Sequence, residues 1–150
     1  MAGYKLKLWS GPANIHRFYE GASQTFLEGD LVIISGGYIV IATDGADAWG
    51  VAAKSGSNTT AGAVSIPVYV ITPEQVWSAF ATGATPARAT HVGNPYDLSG
   101  FTAGNNIRAN LADTTNDDYI VQELDPRDTP ASGSRVLIRF NASSCDAIGG

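Results

Sequence analysis

The chain has 150 residues, of which 44% are hydrophobic and 15% are charged, and its formal net charge is −5. That length suffices for one self-supporting core, and the basic residues are too scattered to form the patch that nucleic acid phosphates require. Cys145 is the single cysteine, so these residues form no disulfide among themselves. No apolar run approaches the about 18 residues of a membrane span, and the first residues lack the apolar segment of a secretory signal. We therefore expect a protein made in a cytosol, with neither nucleic acid nor a membrane as its partner.

Residues 4–8 alternate between apolar and basic side chains. Tyr4, Leu6 and Leu8 fall on one face and two lysines on the other, which is the pattern of a half-buried strand at a sheet edge. Trp9 ends this strand. Two alternatives are open: the strand pairs within its own sheet, or it acts as an arm that adds to the sheet of a neighbouring subunit.

A β core is predicted within residues 26–71. Four short runs rich in Val, Ile, Tyr or Trp follow one another there, separated by Gly, Asp, Ser and Asn, which is typical of strands joined by turns. These runs are residues 31–34, 38–42, 49–53 and 66–71. Gly36 and Gly37 lie between the first two, and adjacent glycines supply the positive φ that a tight hairpin needs. One more short strand is predicted earlier, at Ile15–Tyr19.

A short helix is predicted over residues 73–81. Thr72, with a proline next to it and Gln75 three positions on, resembles a capping box at a helix start. Trp77 and Phe80 then follow at helical spacing. The alternative is that the preceding strand continues through this segment.

Residues 72–118 are predicted to form a long excursion, made of this helix and of loops. Hydrophobic periodicity fades after the helix, and turn dipeptides are frequent. Tyr96 and Phe101 are isolated apolar anchors within it. A loop of such length in a compact domain is usually functional, so contacts with other subunits or partners are expected here.

Two closing strands are predicted at Tyr119–Leu124 and Arg135–Phe140, followed by a tail over residues 141–150. The second strand places Val136, Ile138 and Phe140 on one face. The segments together predict a single, mainly β domain over residues 1–150. We expect a small antiparallel β barrel, or a β-tulip or sandwich, with one short helix and a long loop excursion.

No constellation for catalysis, cofactor or metal binding is found. His16 and His91 are the only histidines, and neither accompanies a nucleophile motif or a second metal ligand at a suitable spacing. Asp44 and Asp47 could hold calcium, but they lack the rest of a calcium loop and suit a β-turn equally well. The remaining acids that catalysis could use are isolated, which favours surface or capping positions for them: Glu20, Glu28, Glu74 and Glu123. We expect no enzyme activity and no cofactor.

The three tryptophans raise a different possibility. Trp9, Trp49 and Trp77 could form the stacking platform of a carbohydrate-binding module. Trp49 lies in an apolar run and Trp77 at helical spacing with Phe80, so packing in the core is favoured for both. Carbohydrate binding is kept as an alternative function.

The order of turns and strands resembles that of the small capsid decoration, or cement, proteins of tailed bacteriophages. The resemblance covers about a third of the chain. It consists of a Gly-Asp pair opening a strand, a Gly-Gly turn, a second strand, a Gly-Val-Ala strand, a small polar loop and a Pro-Val strand. In this sequence these are Gly29-Asp30, residues 31–34, Gly36-Gly37, residues 38–42, residues 49–53 and Pro67-Val68.

The resemblance implies a structural virion protein that has no active site. Such proteins are made in the bacterial cytoplasm, sit on the outer surface of the expanded head, often as homotrimers, and bridge neighbouring major capsid proteins. A tail or baseplate component is the nearer alternative. The candidate contacts with the capsid or with other subunits lie on the first strand and in the excursion: Tyr4, Leu6, Leu8, Trp9, Trp77, Phe80, Tyr96 and Phe101.

Overall fold

The computed structural model describes residues 4–42, 50–57, 59–101 and 107–141. The strands are β1 (Lys7–Ser10), β2 (Ile15–Tyr19), β3 (Thr25–Phe26), β4 (Leu31–Ser35), β5 (Tyr38–Ile41), β6 (Gly50–Ala52), β7 (Gly56–Ser57), β8 (Ser65–Val70), β9 (Val76–Thr82), β10 (Pro95–Ser99), β11 (Arg108–Asn110), β12 (Tyr119–Leu124) and β13 (Arg135–Phe140). Among these residues there is one helix, α1 (Arg88–His91). Of the described residues, 48% are in strands and 3% in the helix, so the fold is mainly β, as the sequence predicts. The predicted acidic turn at residues 44–47, Trp49 and tail residues 142–150 lie outside the described residues.

The C-terminal strands form a closed five-strand β barrel. Its strand order is β9-β11-β10-β12-β13, and β13 pairs back with β9 to close the circle. The pairings are antiparallel except that β11 runs parallel to β9. A barrel is therefore present, as predicted, but it is built from residues 76–140 and not from the predicted core at residues 26–71.

The side chains of β9 alternate between the interior and the outside of the barrel. Trp77, Ala79 and Ala81 of β9 point inward and are at most 2% exposed, while Ser78 and Phe80 point outward. The neighbouring strand β13 contributes the inward side chains that the sequence placed on one face, Val136, Ile138 and Phe140. The prediction for that strand is confirmed, since these three side chains are also almost fully buried.

The helix predicted at residues 73–81 is wrong, because this segment is strand β9 after a turn. The capping-box bond does form: the N–H of Thr72 donates to Oε1 of Gln75 at 2.9 Å. However, Nε2 of Gln75 also donates to the carbonyls of Pro12 at 2.8 Å and Val70 at 3.1 Å. Gln75 thus links the end of β8 and the Pro12 segment to the start of β9. The segment is a strand, as in the alternative, but it is a new strand in another sheet and not a continuation of β8.

The predicted excursion at residues 72–118 is also corrected. This region holds β9, α1, β10 and β11, so its described residues supply most of the barrel wall. Asp97 explains part of the difference, because its buried carboxylate accepts the backbone N–H groups of Asn116 at 2.9 Å and Asp117 at 2.6 Å. The polar run that ends the excursion is thereby tied to the barrel.

Residues 15–70 contain a second sheet, with strand order β2-β8-β6-β4-β5. It is antiparallel throughout, and an isolated bridge between Glu20 and Ile39 brings its two edges together. Gly36 and Gly37 have φ values of 59° and 89° in the two-residue turn between β4 and β5, which confirms the predicted hairpin. The buried apolar residues of this region form a cluster separate from the barrel core: Phe26, Val32, Ile39, Ala52, Ile66 and Val68.

The first strand pairs within its own chain. β1 lies antiparallel to β9 and occupies the part of its edge that β11 leaves open. The predicted edge strand is therefore present, shifted to Lys7–Ser10, and the alternative of pairing within its own sheet holds in this structure. The outer edge of β1 has no strand partner among the described residues.

Candidate functional site

Trp9 lies on the outermost strand of the barrel sheet, and 40% of its surface is exposed. Leu8 pairs with Trp77, and Ser10 pairs with Val76, so two residues of β1 advance for one residue of β9. Such a bulge re-aims the extra side chain. Trp9 is this extra residue, and because neighbouring residues of a strand point to opposite faces, it lies opposite core-packed Leu8 and faces solvent.

Arg127 supports the exposed indole. Its guanidinium carbon lies 4.7 Å from the centre of the Trp9 ring, in a cation–π contact. The same guanidinium donates from Nε to Oδ1 of Asp125 at 2.9 Å and from a terminal nitrogen to Oγ of Ser78 at 2.9 Å. The position of Trp9 is thus set by its bulge and by a charged group that two buried residues hold in place.

Asp125 is the buried centre of this network, with a side chain that is fully inaccessible to solvent. It accepts hydrogen bonds from the Arg127 side chain and backbone and from the Ser78 hydroxyl. The hydrogen bonds from Arg127 outweigh the effect of burial and lower the pKa of Asp125 to about 2. Arg135 lies 3.9 Å away and is itself bound to Asp128 at 2.6 Å, so the charge cluster is closely balanced.

We expect this network to make the free energy of unfolding fall in acid. Because the folded pKa of Asp125 lies below its ordinary value of 3.8, its contribution is complete above about pH 4 and disappears as the pH falls towards 2. We expect Asp125→Asn to abolish about 2 kcal/mol of this acid-dependent loss. Urea unfolding of both proteins between pH 2 and 6 measures it, and parallel pH profiles would contradict the assignment.

An apolar cleft of about 580 Å³ lies beside Trp9. Its apolar lining consists of Trp9, Leu124, Pro126, Pro130 and Leu137. The rim is charged and includes the ion pair between Arg88 and Glu123, whose atoms lie 2.8 Å apart. An exposed tryptophan next to an apolar cleft with a charged rim is a typical composition of a protein-binding surface. We call Trp9 and this cleft the Trp9 surface.

Two more of the sequence-predicted contact residues meet on the outer side of β9. The rings of Tyr4 and Phe80 lie 5.5 Å apart in an edge-to-face arrangement. Arg108 stacks on Tyr4 at 4.7 Å, and Arg135 lies 5.6 Å from the Phe80 ring centre. These aromatics are partly covered by arginines, so they extend the candidate surface less than Trp9 does.

The remaining predicted contact residues belong to the interior. Leu6, Trp77 and Tyr96 are at most 8% exposed, and they pack in the barrel cluster. Leu8 and Phe101 are half-buried and pack against the same cluster. Because their apolar surface is already covered by the chain itself, the three buried residues offer no contact to a partner in this conformation.

Sequence reasoning missed Arg127 and the apolar residues of the cleft. The segment between β12 and β13 carries no site motif in the sequence, and the bulge at Trp9 depends on pairing that local sequence does not encode. The one available signal was charge: Asp125, Arg127 and Asp128 alternate in sign within four positions. Alternating charges beside a predicted strand are compatible with an ion-pair network, as is observed.

The histidines and acidic residues of the described part of the chain form no metal-binding cluster. No group of three or more His, Cys, Asp or Glu side chains within this part could hold a metal ion. His91 is buried in α1, where its Nδ1 accepts the backbone N–H of Ala87 at 2.9 Å, and His16 is exposed on β2. In the same part of the chain, no helix is long and apolar enough to cross a lipid bilayer.

The Trp9 surface combines an exposed aromatic ring, an apolar cleft and a charged rim. Its parts come from β1, the outer side of β9, and the segment that joins β12 to β13. No protein-family model, curated protein or solved structure matches this chain.

Proposed function

We propose that this protein is a structural virion component that binds the outer surface of a tailed-phage head and cements neighbouring major capsid proteins. The exposed Trp9 beside its apolar cleft is the observation on which the proposal rests. Tryptophan is among the residues that contribute most to binding free energy at protein interfaces, above all when it can fill a well-packed pocket. The order of turns and strands in residues 28–68, similar to that of decoration proteins, supports the choice of partner.

The composition of the surface supports a binding role over catalysis. Only 15% of residues are charged, against about 25% in an average protein, so much of the surface is small and uncharged. Such a surface can approach another protein closely with little desolvation of charge. We further propose that the protein acts as a homotrimer, since linked copies convert several weak contacts into one firm attachment.

Removing the Trp9 side chain is expected to weaken attachment to the head. For Trp9→Ala we expect binding about 30-fold weaker than wild type, which corresponds to roughly 2 kcal/mol at an interface hot spot. The measurement is co-sedimentation of purified protein with expanded heads that lack it, with the melting temperature of the heads as a second readout. Binding to the expanded shell alone stabilises that state, so wild type is expected to raise its melting temperature.

Tyr19→Ala is the matched control, because Tyr19 is a large aromatic that is 59% exposed on β2 of the other sheet. It is expected to bind heads like wild type. Failure of wild type to co-sediment would contradict the proposed function, whereas equal binding by Trp9→Ala would contradict only the role of the Trp9 surface. A stoichiometric copy number per virion separates a head protein from a tail or baseplate component, and a positive glycan array would favour the carbohydrate-binding alternative.

A further inference from the structure

A second cleft, of about 440 Å³, opens on the outer side of the barrel where β9 ends. Its polar side chains are Arg108 and three hydroxyl residues, Thr82, Thr85 and Ser132, and Tyr4 with small Ala and Gly residues forms the rest. No carboxylate of the described residues lines this cleft, although the protein has 14 acidic residues. The volume lies in the range of pockets that hold small molecules, about 300–1,000 Å³.

Arg108 has no charged partner in the described part of the chain. Arg88, Arg127 and Arg135 each pair with a carboxylate at 2.8 Å or less, but no carboxylate in that part lies within 4 Å of the Arg108 guanidinium. Its Nε is inaccessible to solvent and donates to no acceptor there. A buried donor without an acceptor is uncommon and costs free energy, so the described residues do not saturate the hydrogen-bonding capacity of this guanidinium.

The fold holds this guanidinium in place without neutralising it. Ala109, the next residue of β11, is fully buried and pairs with Ala81, which turns the Arg108 side chain to the outside of the barrel. The guanidinium then lies on the Tyr4 ring, with its carbon 4.7 Å from the ring centre. Stacking orients the planar fork and reduces the entropy that a ligand must remove on binding.

We propose that this cleft binds a small organic oxyanion, whose oxygens accept hydrogen bonds from Arg108 and from the hydroxyls of Thr82, Thr85 and Ser132. A guanidinium offers parallel N–H donors at the spacing of two carboxylate or phosphate oxygens. The three hydroxyl residues of the lining supply further donors, and with no carboxylate among the described lining residues the positive charge is available to a ligand. The site is separate from the Trp9 surface and does not depend on the proposed function.

The test uses two probes of the same oxyanion chemistry, succinate and inorganic phosphate, each titrated against chloride at constant ionic strength. Amide chemical shifts in NMR spectra report the binding. We expect saturable shifts around the cleft with at least one probe, and the stronger probe identifies a carboxylate or a phosphate ligand. Arg108→Met is expected to weaken that binding at least about tenfold and Ser132→Ala a few-fold, because charged hydrogen bonds are the stronger ones.

Arg139→Met provides the control, since it removes the same charge from an exposed position on β13. Wild-type affinity is expected for it. Arg108→Lys keeps the charge and loses the fork, so weakened binding by this variant remains informative if Arg108→Met does not fold. Absence of saturable shifts with both probes, or an equal loss of affinity in Arg139→Met, would overturn the proposal.

Discussion

Replacing Trp77 by alanine is expected to lower the free energy of unfolding by about 3–5 kcal/mol. The side chain is fully buried, and its ring packs edge-to-face on Tyr69 with the ring centres 5.7 Å apart. Trp77 belongs to the barrel and Tyr69 to the second sheet, so the indole fills space where the two sheets meet. Its Nε1 also donates to Oε1 of Gln75 at 3.3 Å. Alanine would leave a cavity and remove one partner of a buried polar group.

Equilibrium unfolding in urea measures this loss, and Trp9→Ala is the matched control. The control deletes the same atoms from an exposed position and gives up a surface cation–π contact, worth about 0.5–1 kcal/mol. Trp77→Phe keeps an aromatic ring, so we expect its loss of unfolding free energy to lie between those of Trp77→Ala and Trp9→Ala. Equal destabilisation by Trp77→Ala and Trp9→Ala would show that the indole does not join the two sheets.

The sequence correctly predicts the strands in which strand-forming residues are bounded on both sides by clear turn residues. β2, β12 and β13 have the predicted bounds, and the Gly36-Gly37 turn joins β4 to β5 as expected. These segments combine β-branched or aromatic residues with clear turn residues at their ends. The hairpin is also local, because its register follows from two adjacent glycines.

A helix is wrongly predicted after Thr72 because two periodic patterns coincide in this segment. Trp77 and Phe80 fit helical spacing, but Trp77 and Ala79 fit strand alternation equally well. Alanine favours helices, yet Ala79 is fully buried in the barrel, where it pairs with Val136. Pairing with β1 and β13 decides the outcome, and both partners are distant in sequence.

The barrel as a whole could not be predicted for a related reason. β11 has three residues and joins the barrel through a parallel pairing with β9, although 27 residues separate the paired Ala81 and Ala109. Nothing in so short a strand identifies its neighbour. The Trp9 surface shares this dependence, since its cleft is formed by residues from β1 and from the segment around Pro126.

Glu20 is expected at the surface from the sequence but is buried in the structure. An isolated glutamate after an exposed strand favours a surface position, but its side chain is fully buried where β2 meets β5. Neither carboxylate oxygen has a hydrogen-bond partner among the described residues. A β-carbon added at Gly56 would lie 2.8 Å from its Oε1, so the carboxylate is pressed against the backbone of β7.

Burial raises the pKa of Glu20 above its ordinary value of 4.5. A raised folded-state pKa means that stability is complete below 4.5 and falls as the pH rises through the folded pKa, because folding then requires a buried, unpaired charge or an extra proton. We therefore expect wild-type stability to decline as the pH rises above 4.5. The closing contact between the edges of the second sheet is expected to loosen first, since Glu20 lies in it.

Glu20→Gln is expected to raise the free energy of unfolding by about 1–3 kcal/mol at neutral pH and to change little near pH 4, where glutamate is mostly neutral. Urea unfolding from pH 4 to 8 gives the free energies, and hydrogen exchange of β2 and β5 amides locates the effect. Glu28→Gln is the control, because the Glu28 side chain is 59% exposed and its carboxylate binds Lys5 at the surface. If Glu20→Gln instead destabilises the protein at neutral pH, the carboxylate makes a favourable interaction when ionised. That result would contradict the expected loss of stability at the contact between β2 and β5 as the pH rises.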